Sequence, residues 1–154
     1  MPDQSPCCKI TQAIEATEEL YQACQRLVPQ LTSNNPPPTR QELALLLSKG
    51  SSILLQAQHP DYAEEIIGLA SLVLYRLPTG MRAYIEDVVV DERARGKRIG
   101  EALMRACLER ADQSNCPQVM LTSNPGRTAA NRMYQRMGFE LRKTNVYRYS
   151  FKRG

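Results

Sequence analysis

The chain has 154 residues, 42% hydrophobic and 23% charged, with only 8 glycines and no sustained repeat. That excludes collagen-like, disordered and coiled-coil architectures and fits a single domain over 1–154, with 1–7 read as a flexible N-terminus. The net charge of +4 is unevenly divided, since 1–92 carry 6 Lys+Arg against 12 Asp+Glu and 93–154 carry 14 against 4, so an anionic ligand is expected toward the C-terminal part.

The predicted elements alternate strands and helices. Weak alternation over 9–14 suggests an opening strand. Ala16, Leu20, Ala23, Cys24, Leu27 and Leu31 then form one apolar stripe at helical spacing, stopped by Asn34-Asn35-Pro36-Pro37-Pro38. A second helix follows from a capping box, Thr39 with Glu42, with Leu43, Leu46 and Leu47 inward and Gly50 as its C-terminal cap. Residues 52–57 and 66–75 read as strands that pair across the loop holding His59.

The strand over 82–90 is the most informative. A period of two puts Tyr84, Glu86, Val88 and Val90 on one face and Ile85, Asp87 and Val89 on the other. Two adjacent carboxylates on opposite faces of an otherwise apolar strand call for a reason. A loop over 91–98 leads into a helix with Ile99, Ala102, Leu103, Ala106 and Cys107 inward. A short strand at 118–122, a turn at Asn124-Pro125-Gly126, a helix at 128–137 capped by Gly138, and strands at 139–141 and 145–151 complete the chain. The order is β-α-α-β-β-β-α-β-α-β-β, a mixed α/β domain with a central βαβ unit.

The five cysteines are odd in number and form no C-x-x-C pair, which points to a reducing compartment, and none is placed to act as a nucleophile. The single histidine, His59, lies in the polar stretch Gln58-His59-Pro60-Asp61 and reads as a loop residue, so no metal site is expected. No stretch approaches the ~20 apolar residues of a membrane span. The N-terminus has neither a basic n-region nor an apolar h-region, so a cytoplasmic protein without a membrane partner is expected.

Arg93-Ala94-Arg95-Gly96-Lys97-Arg98-Ile99-Gly100 joins a buried strand to a helix N-terminus. Unpaired N–H groups, the positive end of the helix dipole and four cationic side chains suit a diphosphate. The segment is neither a Walker A loop nor a G-x-G-x-x-G loop, and a solvated basic turn is the alternative reading.

Strand, Arg95-x-x-x-x-Gly100 and helix, followed some thirty residues later by Ala130-Asn131-Arg132-Met133-Tyr134-Gln135-Arg136-Met137-Gly138-Phe139, resemble the GNAT superfamily of acyl-CoA-dependent N-acetyltransferases. In that family the backbone amides of a [Q/R]-x-x-G-x-[G/A] loop hold the pyrophosphate of coenzyme A. The resemblance assigns that role to Arg95, Gly96, Lys97, Arg98, Ile99 and Gly100. Arg98 replaces the pattern's middle glycine, and its side chain becomes a candidate to reach a phosphate. The resemblance also implies that the strand ending at Val90 and the one beginning at Gln118 splay apart. The pantetheine arm would lie between them against the main chain of Val88, Val89 and Val90. Tyr134 corresponds to the tyrosine that protonates the departing coenzyme A thiolate, although it could instead be a buried helix tyrosine beside Met133 and Met137. Many relatives carry an asparagine seven residues before this tyrosine, where this chain has Arg127, so Asn131 is the nearer candidate for a contact to the cofactor arm.

Glu86 is the candidate base for the attacking amine, directly or through a water, because a half-buried carboxylate tends toward a raised pKa. A structural network of Glu86 and Asp87 with Arg76, Arg82 or Arg148 is the alternative. The resemblance implies transfer of acetyl from acetyl-CoA to a primary amine by direct attack, with no covalent enzyme intermediate and no metal. Arginines on the strands suggest a small anionic amine as substrate. A protein N-terminus, a lysine, or a non-catalytic acyl-CoA-binding module are the alternatives. Family members often dimerise, so a homodimer is among the implied partners. Nucleic acid is disfavoured because the basic part lacks an aromatic stacking strip and a reading helix.

Overall fold

The computed structural model describes residues 8–154, so the expected flexible stretch at 1–7 lies outside the described residues. The chain divides into two compact units, one ending at Thr122 and one starting at Ser123. The first holds β1 (Lys9–Gln12), α1 (Glu18–Leu31), α2 (Arg40–Ser48), β2 (Ser52–Gln58), β3 (Ile66–Leu77), β4 (Gly80–Val90), α3 (Ile99–Gln113) and β5 (Val119–Met120). Single 3-10 turns at Pro60–Tyr62 and Glu92–Ala94 follow β2 and β4. The second unit contains α4 (Thr128–Arg136).

Both N-terminal helices start where their side chains can satisfy orphan amides. Thr17 Oγ1 accepts from Leu20 N–H at 3.2 Å. At α2 the Thr39 side chain and the Glu42 carboxylate close a reciprocal capping box, with Thr39 N–H donating to Glu42 Oε2 at 2.8 Å. α1 buries Leu20, Ala23, Cys24 and Leu27, as the stripe predicts. Gly50 does not act as the expected left-handed cap: α2 ends at Ser48 with Lys49 in extended conformation, and Gly50 is not among the residues of positive φ.

The sheet runs β1-β2-β3-β4-β5, antiparallel up to β4 and parallel between β4 and β5. Leu54, Leu69 and Val89 share one core cluster with Leu20, Leu27 and Leu43 of α1 and α2. α3 covers the opposite face through Ile99, Leu103, Met104 and Cys107. It comes close because Gly68 has no side chain: a Cβ there would stand 3.1 Å from Leu103 Cδ1 and 3.3 Å from Ile99 Cγ2. The α3 N-terminus is thereby fixed near the start of β3.

The period of two fails inside β4. Leu69 pairs with Val89 and Ser71 with Glu86, so Asp87 and Val88 together stand opposite Ala70 alone. Asp87 takes the left-handed region at φ 51° to make this β-bulge. The extra residue reverses the alternation: Glu86 shares its face with Tyr84 and Val89, whereas Val88 and Val90 lie with Ile85.

In the second unit α4 ends in a Schellman motif. Gly138, at φ 94°, lets its own N–H reach the Gln135 carbonyl at 3.1 Å and the Phe139 N–H reach the Tyr134 carbonyl at 2.9 Å. The strands expected at 139–141 and 145–151 do not form, and residues after α4 carry no regular element. The pattern of Tyr147, Tyr149 and Phe151 encodes strand propensity, but a strand exists only when its backbone pairs, and among the described residues this segment joins no ladder. No helix among the described residues is long and apolar enough to cross a membrane.

Candidate functional site

β4 carries the candidate site at its C-terminal end. Its ladder with β5 comprises Ala83–Val119 and Tyr84–Met120, after which β4 continues to Val90 without a β5 partner. The edge of Val88, Val89 and Val90 therefore offers main-chain groups to an extended ligand, and the bulge turns the backbone of Asp87 and Val88 out of the regular ladder. This is the divergence expected of the two strands.

Glu86 projects from this strand in the row Leu54, Ser71, Glu86. Its carboxylate enters no hydrogen bond or ion pair among the described residues, and neither Arg76 nor Arg82 engages it; Arg82 instead donates to the Met81 carbonyl and the Thr79 hydroxyl. Partial desolvation pushes the Glu86 carboxyl above the ordinary glutamate value of 4.5, and the neighbouring Asp87 carboxylate adds to the rise.

After Val90 the chain turns on Asp91, which is 1% exposed. Asp91 Oδ1 accepts from Arg93 N–H at 3.1 Å and Arg93 Nε at 3.2 Å, while Oδ2 accepts from the Arg93 guanidinium at 2.8 Å and Arg26 Nε at 3.1 Å. These bonds, the Arg93 side chain foremost, hold its carboxyl far below the usual carboxylate range. Ala94 is fully buried. Beyond it Arg95, Gly96, Lys97 and Arg98 are exposed, and Ile99 returns to the core.

The loop keeps a left-handed residue where the family pattern has a glycine: Arg98 sits at φ 59°, ψ 20°. Gly96 is also left-handed, at φ 83°, with no heavy atom within 4 Å of where a Cβ would be. Thr17 and Thr39 cap the first two helices, but no side chain caps α3. Its first amides are free to point at an anion.

The four loop cations do not all face that anion position. Arg93 is held by Asp91 and Glu65. Lys97 Nζ donates to Asp61 Oδ2 at 2.8 Å, which raises the lysine and lowers the aspartate pKa. Arg98 lies along α3, donating to Glu101 at 3.1 and 3.3 Å. Arg95 alone makes no ion pair among the described residues. The uncapped backbone amides, rather than a cluster of open charges, are thus what the loop can offer to an anion.

Tyr134 and Asn131 belong to the second unit. Tyr134 is buried on α4, its ring edge-to-face with Phe139 at 5.9 Å between centroids. Burial raises its phenol above the ordinary value of 10, with Arg127 opposing, so it keeps its proton at neutral pH. Asn131 Nδ2 donates to the Asn124 carbonyl at 3.0 Å, bracing the turn before α4.

Sequence reasoning did not identify the bulge, the partners of Asp91, or the docking of the β2–β3 connection on the loop. In that docking Tyr62 donates its hydroxyl to the Arg93 carbonyl at 2.8 Å, beside the Asp61–Lys97 pair. One signal was available for Asp91: an aspartate two residues before Arg93 at a strand end can form an Asx turn.

Residues 14–139 fit the model of the Acetyltransferase (GNAT) family. An L-methionine sulfoximine/L-methionine sulfone acetyltransferase of Pseudomonas aeruginosa is 33% identical over 82 residues, 53% of this chain and 48% of that protein. N-alpha-acetyltransferase 30 of Saccharomyces cerevisiae is 28% identical over 74 residues, 48% of this chain and 42% of that protein. These matches span about half the length of each curated relative. A solved acetyltransferase of Trypanosoma brucei superposes with a TM-score of 0.74 at 25% identity, covering 93% of this chain and 99% of the other. The chain belongs to the GNAT family of acetyltransferases.

Proposed function

We propose that the protein transfers the acetyl group of acetyl-CoA to the primary amine of a small, anionic molecule by direct attack. The observation that carries this reading is the bulged β4, whose unpaired edge runs into an uncapped α3 N-terminus through a loop with two left-handed residues. Acetyl-CoA supplies an activated thioester. The amides of Gly96, Lys97, Arg98, Ile99 and Gly100, with the Arg95 side chain, hold its diphosphate, and the main chain of Val88, Val89 and Val90 aligns its arm. An N–H near Val88 polarises the thioester carbonyl. Glu86, with its raised pKa, takes the proton from the attacking amine, directly or through a water, and Tyr134 returns a proton to sulfur as the C–S bond breaks. Asn131 contributes at most a second polar contact, since its amide N–H already serves the 124–126 turn.

Similarity to an enzyme named for methionine sulfoximine and methionine sulfone supports a free amino acid or close analogue as acceptor. Similarity to an N-alpha-acetyltransferase supports a protein N-terminus as the second reading. Coenzyme A release from acetyl-CoA, followed by mass spectrometry, over amino acids, aminophosphonates, amino sugars, polyamines and short peptides separates the two. Acetylation of a small anionic amine is the expected result. Turnover on peptides alone selects the second reading, and coenzyme A binding without turnover on any amine would identify a non-catalytic module.

A further inference from the structure

The loop that follows β4 has little apolar anchorage, because of residues 91–98 only Asp91 and Ala94 are buried. It is held instead by a closed ring of four charged side chains from three parts of the first unit. Asp91 binds Arg26 and Arg93; Glu65 binds the same two arginines, at 3.0 Å to Arg26 and 3.2 Å to Arg93. Arg26 also donates to the Ile66 carbonyl, and Asp91 N–H donates to the Ile67 carbonyl at 2.8 Å. One helical turn beyond Arg26, Gln30 Oε1 accepts from Glu92 N–H at 2.9 Å. Helix α1 and the start of β3 therefore fix the first turn of the loop, and that turn leads directly into the uncapped amides at 96–100.

We propose that Asp91, with Arg26, Glu65 and Arg93, is the positioning residue of the donor loop, setting the geometry in which its amides receive the diphosphate of coenzyme A. The inference rests on the reading of 95–100 as that loop. None of the four residues needs to touch the ligand. Arg93 and Arg26 are turned toward carboxylates, and Asp91, being anionic and buried, is no anion ligand. The action is indirect: loosening the ring lets the loop sample arrangements in which its N–H groups no longer converge.

The test uses the full chain and two ligands that share the thiol arm, coenzyme A and pantetheine, the second lacking the nucleotide diphosphate. Asp91→Asn removes the central charge. Glu65→Gln opens the ring at a half-exposed position and keeps the test valid if the first variant does not fold. Dissociation constants are measured by calorimetric or NMR titration beside a melting curve. The expected result is a loss of coenzyme A affinity of roughly tenfold to a hundredfold with pantetheine affinity unchanged. Equal losses for both ligands, or no loss for either, would overturn the positioning role while wild-type binding of coenzyme A upholds the donor-loop reading. Failure of the wild-type protein to favour coenzyme A over pantetheine would overturn that reading, and this inference with it.

Discussion

Glu86 and Arg98 each hold an unusual state that predicts a measurable effect. A carboxyl pushed above its ordinary value is a stronger base once ionised, so activity should require ionisation of Glu86 and fall on an acid limb above pH 4.5. Glu86→Gln should lower turnover at neutral pH by ~100-fold or more, remove that limb, and recover in part at high pH where the amine is already neutral. A uniform loss at every pH would assign Glu86 to substrate positioning. Arg98 bears the strain of a left-handed conformation, so Arg98→Gly relieves it while losing an exposed pair with Glu101. Stability by chemical denaturation should change by no more than about 1 kcal/mol and coenzyme A affinity should persist. A large loss of affinity would show that the guanidinium itself engages the ligand. The Glu86–Asp87 pair was conspicuous in the sequence, but its orientation was not. A period of two assumes one residue opposite one, and the bulge that breaks it depends on pairing with β3. Asp91 was less visible still, because Arg26 reaches it, and Glu65 reaches its partner Arg93, from far along the chain.

Among the elements, α3 links packing to the site. Its first turn, with Ile99, rests on the bare backbone of Gly68, and the same turn supplies the open amides. Gly68→Val should overpack this crossing, cost about 1–3 kcal/mol in denaturant unfolding, and weaken coenzyme A binding by displacing the α3 N-terminus. Destabilisation without loss of affinity would show that the helix end tolerates the shift. The helices were readable because caps and apolar stripes are local: Thr39 with Glu42, and Gly138, each mark an end that residues a few positions away complete. The last strands were not, since alternation at 145–151 records propensity while a ladder needs a partner that no local pattern names. For the same reason β5 is shorter than its apolar run suggested.

For the molecule as a whole, the ionisable groups favour folding at neutral pH. Glu18, Glu42, Asp61, Asp91 and Glu101 all have lowered pKa values from arginine, lysine or backbone partners, and Glu86 is raised. A lowered carboxyl contributes stability above its unfolded value and loses it as pH falls through the folded one. The melting temperature should therefore drop from about pH 5 down to about pH 2, and less steeply in Asp91→Asn, whose buried position no longer takes up a proton. An identical acid profile for that variant would remove Asp91 from the account. Family and fold were legible because the loop and the α4 motif are contiguous in sequence, whereas the identity of the amine depends on side chains gathered from separate elements. Titration of the wild-type protein with acetyl-CoA, read by calorimetry and by melting, tests whether the loop at 95–100 receives the acyl donor. Saturable one-to-one binding is predicted, with a stabilisation of about 2.7 kcal/mol at a hundred times the dissociation constant. No heat and no shift at millimolar acetyl-CoA would contradict it.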